Sequence, residues 1–266
     1  MSRERPLDGR GALVTGGGRG IGAAIARRLS AAGAAVVVCA RKEAEIGAVA
    51  DELREYGGQA CAIPCDVTDP EAVDVLARAA IEWLGETGLA PDILVNNAGA
   101  ASSAPVTALS LAEWDGMIAV NATSTFLCTR ALLDGMMERG WGRVVNVASV
   151  AALSGARYIA AYAAAKHAVL GFTRCAAAEA AAHGVTVNAV CPGYADTPMT
   201  ETSIERIVRK TGRSMEEALA SILSASPQHR LIEPDEVAHA VLALVAEDAR
   251  GINGQAIVID GGGLLS

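Results

Sequence analysis

Gly11-Ala-Leu-Val-Thr-Gly-Gly-Gly-Arg-Gly-Ile-Gly22 decides how this chain is read. Five residues of strand character run directly into a glycine-rich turn, and the turn runs into a segment of helical spacing over about 21–32, stopped by Gly33. Strand, glycine turn and helix in that order open a βαβ unit, where bare backbone can approach a pyrophosphate held at a helix N-terminus. A purely structural turn can be equally glycine-rich, so this stretch by itself leaves its purpose open.

Working outward, apolar runs of strand length recur at 35–40, 60–66, 92–96, 143–148, 185–190 and 256–259. Between them lie helical patterns at 41–56, 69–84, 111–139, 158–183 and 234–246. Asp69 is placed to cap one of these helices, with Pro70 at its first position. The alternation predicts an α/β fold: one doubly wound, Rossmann-like parallel sheet of about seven strands with helices on both faces. Residues 1–266 are expected to form a single dinucleotide-binding and catalytic domain. Only 198–232 falls outside the rhythm; it holds two short helical patterns and is too long for a plain loop, which marks it as a candidate lid.

Composition narrows the function. Hydrophobic residues make up 52% and aromatics 3%, so the core must be built from Ala, Val, Ile and Leu. A formal net charge of -8 argues against a nucleic-acid partner, which demands a basic face. Six cysteines without a CxxC pair suit a reduced, cytoplasmic setting. The charged start at 1–10 lacks the apolar stretch of a signal peptide, and no apolar run is long enough for a bilayer, so no membrane role is expected. His167, His183, His229 and His239 show no metal-ligand spacing, so no metal is expected. Ser149 lacks the Gly-x-Ser-x-Gly elbow of a hydrolase.

At the end of the second strand, an acidic residue would bond the ribose 2′-hydroxyl of NAD. Here Ala40 is followed by Arg41, and Arg41 with Arg19 could grip a 2′-phosphate by paired charge-assisted bonds. NADP(H) is therefore favoured over NAD(H), although a lone Arg41 could equally open a solvated helix. Asp66-Val67 and Asn96-Asn97-Ala98-Gly99 follow the third and fourth strands, on the side where ligands bind in open α/β sheets. Taken singly, Asp66 could be a turn residue and the Asn pair a strand-end cap.

Tyr162-Ala-Ala-Ala-Lys166 puts a phenol and an ammonium on one helix face. Ketone reduction needs a group that protonates the alkoxide formed as hydride arrives, and a nearby cation would lower a phenol's pKa towards neutrality. Tyrosine and lysine four apart also occur by chance in many helices. Ser149, 13 residues before Tyr162, and Asn121 on the preceding helix supply context.

The glycine spacing Gly-x-x-x-Gly-x-Gly, the Asn-Asn-Ala-Gly motif, the Asn-Ser-Tyr-Lys order and Pro192-Gly193 together resemble the short-chain dehydrogenase/reductase family, over about 9–263. The resemblance implies that Gly16, Gly18, Arg19, Gly20, Ile21, Gly22, Arg41, Asp66, Val67, Asn97, Ala98, Gly99, Lys166, Pro192, Gly193 and Thr197 bind the dinucleotide. It implies that Tyr162 is the general acid in reduction, that Ser149 holds the substrate oxygen, and that Lys166 also bonds the nicotinamide ribose. Asn121 would orient a water linking Lys166 to solvent. Ala195 stands where relatives often place a bulkier aliphatic residue.

Within the family, the stretches 38–53, 136–149 and 162–199 look most like reductases of 3-oxoacyl thioesters and aromatic polyketides. The expected substrate is a small carbonyl compound or alcohol, a thioester among the candidates, and the expected assembly is a homotetramer or dimer. Arg206, Arg209, Lys210 and Arg213 could attract a coenzyme A or phosphopantetheine phosphate. The preferred reading of that cluster is a solvated helix with a Glu205 to Arg209 pair, followed by a capping box from Ser214 to Glu217. Two alternatives stay open beside the reductase: a catabolic NAD(P)-dependent dehydrogenase of a hydroxyacyl-CoA or secondary alcohol, and a non-catalytic dinucleotide sensor.

Overall fold

The computed structural model describes residues 5–224 and 226–265. Positions 1–4, 225 and 266 of the expected single unit, including one position of the segment 198–232, lie outside the described residues. The elements follow as β1 (Gly11–Thr15), α1 (Gly20–Ala31), β2 (Ala35–Ala40), α2 (Glu43–Glu55), β3 (Ala60–Pro64), α3 (Pro70–Glu86) and β4 (Pro91–Asn96). The second half comprises α4 (Leu111–Ile118), α5 (Ser124–Arg139), β5 (Gly142–Val147), α6 (Ala160–Ala180), β6 (Val185–Pro192), α7 (Pro198–Thr211), α8 (Met215–Leu223), α9 (Pro234–Val245) and β7 (Ala256–Ile259).

All strand pairs are parallel, in the order β3-β2-β1-β4-β5-β6-β7. The order reverses direction between β1 and β4, which opens the crevice at the carboxyl ends of the strands where ligands bind. Alternation along each strand sorts the core into two layers. Ala12, Val14, Val36, Val38, Ile93 and Val95 face α1, α2 and α9, whereas Leu13, Val37 and Leu94 face α3, α5 and α6.

Several ends differ from the sequence expectation. The third strand stops at Pro64, because the Asp66 carboxylate turns back onto Thr68, and α2 begins only at Glu43. The long helix expected over 111–139 is broken. A π-turn at Ala119–Thr123 separates α4 from α5, and the Ser124 and Thr125 hydroxyls donate to the carbonyls of Val120 and Asn121 at 2.8 and 2.9 Å. Apolar spacing cannot register one extra residue in a turn, and such bulges gather at functional sites. The α6 helix starts at Ala160 rather than near Tyr158, whose φ of 74° places it in left-handed backbone.

The expected Asp69 cap with Pro70 at the helix start is present. So is the Ser214 to Glu217 capping box. Among the described ion pairs there is none between Glu205 and Arg209.

α7 and α8 pack mainly on each other through Ile204, Ala218 and Ile222, a cluster separate from the two large layers. Their flanks are pinned together where Ala195 bridges Ile232, with Asp196 N–H donating to the Ile232 carbonyl and Ile232 N–H to that of Tyr194. Replacing Ile204 by Ala should speed amide exchange across 198–223 while changing global unfolding by less than about 1 kcal/mol. A loss of several kcal/mol in denaturant unfolding would show instead that this segment belongs to the main core.

Candidate active site

The glycine turn sits at the carboxyl end of β1, held there by Asn97. Its side-chain Nδ2 donates to the Thr15 carbonyl at 3.0 Å and to the Gly16 carbonyl at 3.1 Å. The Thr15 hydroxyl accepts the backbone N–H groups of Asn97 and Ala98, both at 3.0 Å. The turn from β1 and the motif after β4 are thus one hydrogen-bonded unit. Gly16 needs its φ of 63°, and a Cβ on Gly22 would collide with the Gly16 carbonyl oxygen. Asn97 therefore shapes the cradle, a contribution that a motif match alone does not separate from direct contact.

The opening of α1 fits a bound pyrophosphate. Arg19 occupies the N-cap without a side-chain cap bond, and no acidic residue lies in the first turn, so the helix presents free N–H groups to an anion. Thr197 packs against the same turn, 3.2 Å from where a Cβ on Gly20 would stand. Arg41 is exposed at the end of β2, while Val67 is buried. Asp66 is both a turn residue and a charge near Arg41: hydrogen bonds from Thr68 lower its pKa first, and Arg41 adds to the effect. Pro192 ends β6, and Gly193 N–H donates to the Ile259 carbonyl at 2.9 Å.

Beyond this cradle the structure brings Asn121, Ser149, Tyr162 and Lys166 to one place. Lys166 is buried on α6 and donates from Nζ to the Val147 carbonyl at 2.8 Å. Burial lowers its pKa from the ordinary lysine value to about 8. Its ammonium is 5.8 Å from the centroid of the Tyr162 ring. Ser149 leaves β5 in extended backbone, and its Oγ accepts the Ala151 N–H at 3.1 Å. A Cβ on Gly99 would stand only 2.7 Å from Asn121 Oδ1, so glycine is what lets the Asn121 amide approach there, while Lys166 Nζ would lie at an ordinary contact distance of 3.6 Å.

Two features depart from the sequence reading. Burial pushes the Tyr162 phenol above its usual pKa, hydrogen bonding with Ser149 opposes the rise, and the neighbouring Tyr194 and Cys191 add to it. Lys166 is not among the groups that shift the phenol, and its ammonium is bonded to the Val147 carbonyl. The Asn121 amide is also spent: Nδ2 donates to the carbonyls of Ala100 and Met117, both at 3.0 Å, and Oδ1 accepts the Ala100 N–H at 3.3 Å. Its side chain fastens the loop after β4 to the π-turn.

Sequence reasoning missed Cys191, fully buried on β6, whose thiol burial pushes up to a pKa of about 11, with the Ser149 backbone and Lys166 opposing the rise. An apolar run conceals a thiol of that kind. It also missed Glu45 and Lys42 beside the glycine turn, where Lys42 Nζ lies 2.8 Å from Glu45 Oε1. Charges three apart on a helix were the available signal. Among the described residues no group of His, Cys, Asp and Glu could hold a metal ion, and no helix is long and apolar enough to cross a membrane.

A switch-point cradle open to a pyrophosphate, with a half-buried tyrosine and a buried lysine beyond it, defines an oxidoreductase that uses a nicotinamide dinucleotide. The chain belongs to the short-chain dehydrogenase family, whose sequence model matches residues 10–207. It is 40% identical over 253 residues to a Streptomyces violaceoruber protein named as a putative ketoacyl reductase of the granaticin polyketide synthase, covering 94% of this chain and 92% of that one. The 3-oxoacyl-[acyl-carrier-protein] reductase of Vibrio cholerae is 38% identical over 256 residues, covering 96% and 98%. Among solved structures, a tryptophan-substituted variant of the actinorhodin polyketide ketoreductase with NADPH superposes with a TM-score of 0.91 at 39% identity, over 98% of each chain.

Lys166 carries its charge below about pH 8 and loses it above, because burial depresses its pKa. The kcat/KM for the nicotinamide cofactor, which reports groups in the cofactor-free protein, should therefore fall above about pH 8. Lys166→Arg, which stays charged, should move that limb upward. An unmoved limb would assign it to another group.

Proposed function

We propose that this enzyme reduces the ketone of a 3-oxoacyl thioester or polyketide-type acyl chain to a secondary alcohol with NADPH. The observation that carries the reading is the convergence of Ser149, Tyr162 and Lys166 at the carboxyl end of β5, beside the glycine cradle. When bound, the dinucleotide supplies the hydride. Ser149 Oγ then donates a hydrogen bond to the substrate carbonyl oxygen and fixes its position. Tyr162 gives its phenolic proton to the same oxygen as negative charge develops, and its raised pKa keeps that proton in place at neutral pH. Lys166 holds the ribose and returns the proton. Asn121, its amide committed, offers its backbone carbonyl to the water that links Lys166 with solvent.

Arg19 and Arg41, with no acid directly after β2, support NADP(H) over NAD(H). Relatives named for ketoacyl and 3-oxoacyl reduction support the substrate class. Exposed Leu153, Tyr158, Tyr194 and Met199 on the segments after β5 and β6 would line the path of an apolar acyl chain. The segment 198–232 acts as the lid. Its tether across the entrance is Lys210, whose Nζ donates to the Ser103 carbonyl at 3.1 Å. The enzyme works in the cytoplasm as a homotetramer or dimer, a reading supported by free cysteines and by Val258 exposed on the edge strand β7.

Oxidation of NADPH and NADH should be followed across thioester, cyclic-ketone and aliphatic-ketone panels, for the wild type and for Tyr162→Phe. We expect NADPH-linked reduction of thioesters, lowered about 10²- to 10⁴-fold by the substitution. Near-normal turnover of Tyr162→Phe would overturn the proton-donor assignment. Preferred oxidation of hydroxyacyl substrates with NAD+ would make the enzyme a catabolic dehydrogenase, and cofactor binding without any turnover would make it a sensor.

A further inference from the structure

The cofactor end of the crevice contains a carboxylate that family motifs do not include. Glu45, in the first turn of α2, leans over the glycine turn, and its Cβ lies 3.0 Å from where a side chain on Gly18 would begin. Its Oε1 takes a hydrogen bond from Lys42 Nζ at 2.8 Å. Its Oε2 lies 3.9 Å from Arg19 Nε. Ile46, directly after it, is fully buried against the core and holds this turn of the helix in place. Glu45 thus engages Arg19, one of the two guanidinium groups read as holding a 2′-phosphate, and Lys42, the next cation along the chain after Arg41. Those partners keep the carboxyl below its ordinary pKa, so it is ionised at neutral pH.

We propose that Glu45 is a specificity-determining residue that tempers the enzyme's preference for NADP(H), its carboxylate occupying in the free protein the cations that a 2′-phosphate would claim. The inference rests on the reading that Arg19 and Arg41 form the 2′-phosphate site. A dianionic phosphate entering beside β2 must draw Arg19 and Lys42 away from Glu45 and remain next to its negative charge. The neutral 2′-hydroxyl of NAD(H) meets no such repulsion, so the carboxylate lowers the affinity ratio between the two cofactors. Arg41 makes no ion pair among those described and stays available to either. The arrangement suits an enzyme that keeps some use of NAD(H) rather than one committed to a single dinucleotide.

The test is direct binding rather than turnover. Dissociation constants for NADPH and NADH are measured by calorimetric titration of the wild type, Glu45→Gln and Arg41→Ala. One charge facing a doubly charged phosphate at contact range through water is worth about one to two factors of RT ln 10, so Glu45→Gln should raise the NADPH-to-NADH affinity ratio about tenfold or more. An unchanged or lowered ratio overturns the proposal. The underlying reading has its own outcome: if Arg41→Ala leaves the ratio of the wild type untouched, the 2′-phosphate site is misplaced, whatever Glu45→Gln does. Glu45 is partly exposed on a helix surface, and the Gln variant keeps its shape, so thermal unfolding should match the wild type.

Discussion

The interaction on which the remainder depends is the pair of hydrogen bonds from the Asn97 amide to the carbonyls of Thr15 and Gly16. A tight turn with left-handed glycine backbone leaves carbonyl groups facing inward, and a buried acceptor without a partner costs about 1–3 kcal/mol. The loop after β4 supplies the missing donor. The same loop continues through Gly99 and Ala100 to Asn121, and the open face of Gly99 admits the Asn121 amide oxygen. A series of hydrogen bonds along one loop therefore runs from the glycine turn to Asn121. Each member restricts the next.

Burial sets the protonation of Lys166 and Tyr162. Lys166 loses hydration and gains one carbonyl partner, which brings its pKa close to physiological pH. Tyr162 moves the other way, since a phenolate is the charged form of tyrosine whereas the charged form of lysine is the ammonium. Lysine, with the higher ordinary pKa, becomes the weaker base of the two. The phenol therefore keeps its proton at neutral pH.

The sequence exposed the architecture well because buried parallel strands read as short β-branched runs, and the glycine turn marks the crossing from strand to helix. Every predicted strand and the capping residues Asp69 and Ser214 appear in the structure. The candidate site residues could be named from motifs, but what each side chain contacts could not. The Asn121 side-chain amide fastens the loop after β4, and the Lys166 ammonium, expected only as a charge near the phenol, is bonded to Val147. Such outcomes depend on tertiary distance. The π-turn escaped notice because one inserted residue leaves the apolar pattern on either side intact, and Glu45 because nothing in its own neighbourhood shows that α2 leans over Gly18.

The most direct measurement of this account is the affinity of Asn97→Ala for NADPH by titration, with circular dichroism confirming the fold. If the amide clamp organises the cradle, binding weakens about tenfold or more, because the Thr15 and Gly16 carbonyls lose their shared donor and the turn must be ordered by the cofactor itself. Wild-type affinity in a folded Asn97→Ala protein would contradict it, and the site would then have to be rebuilt from some other contact.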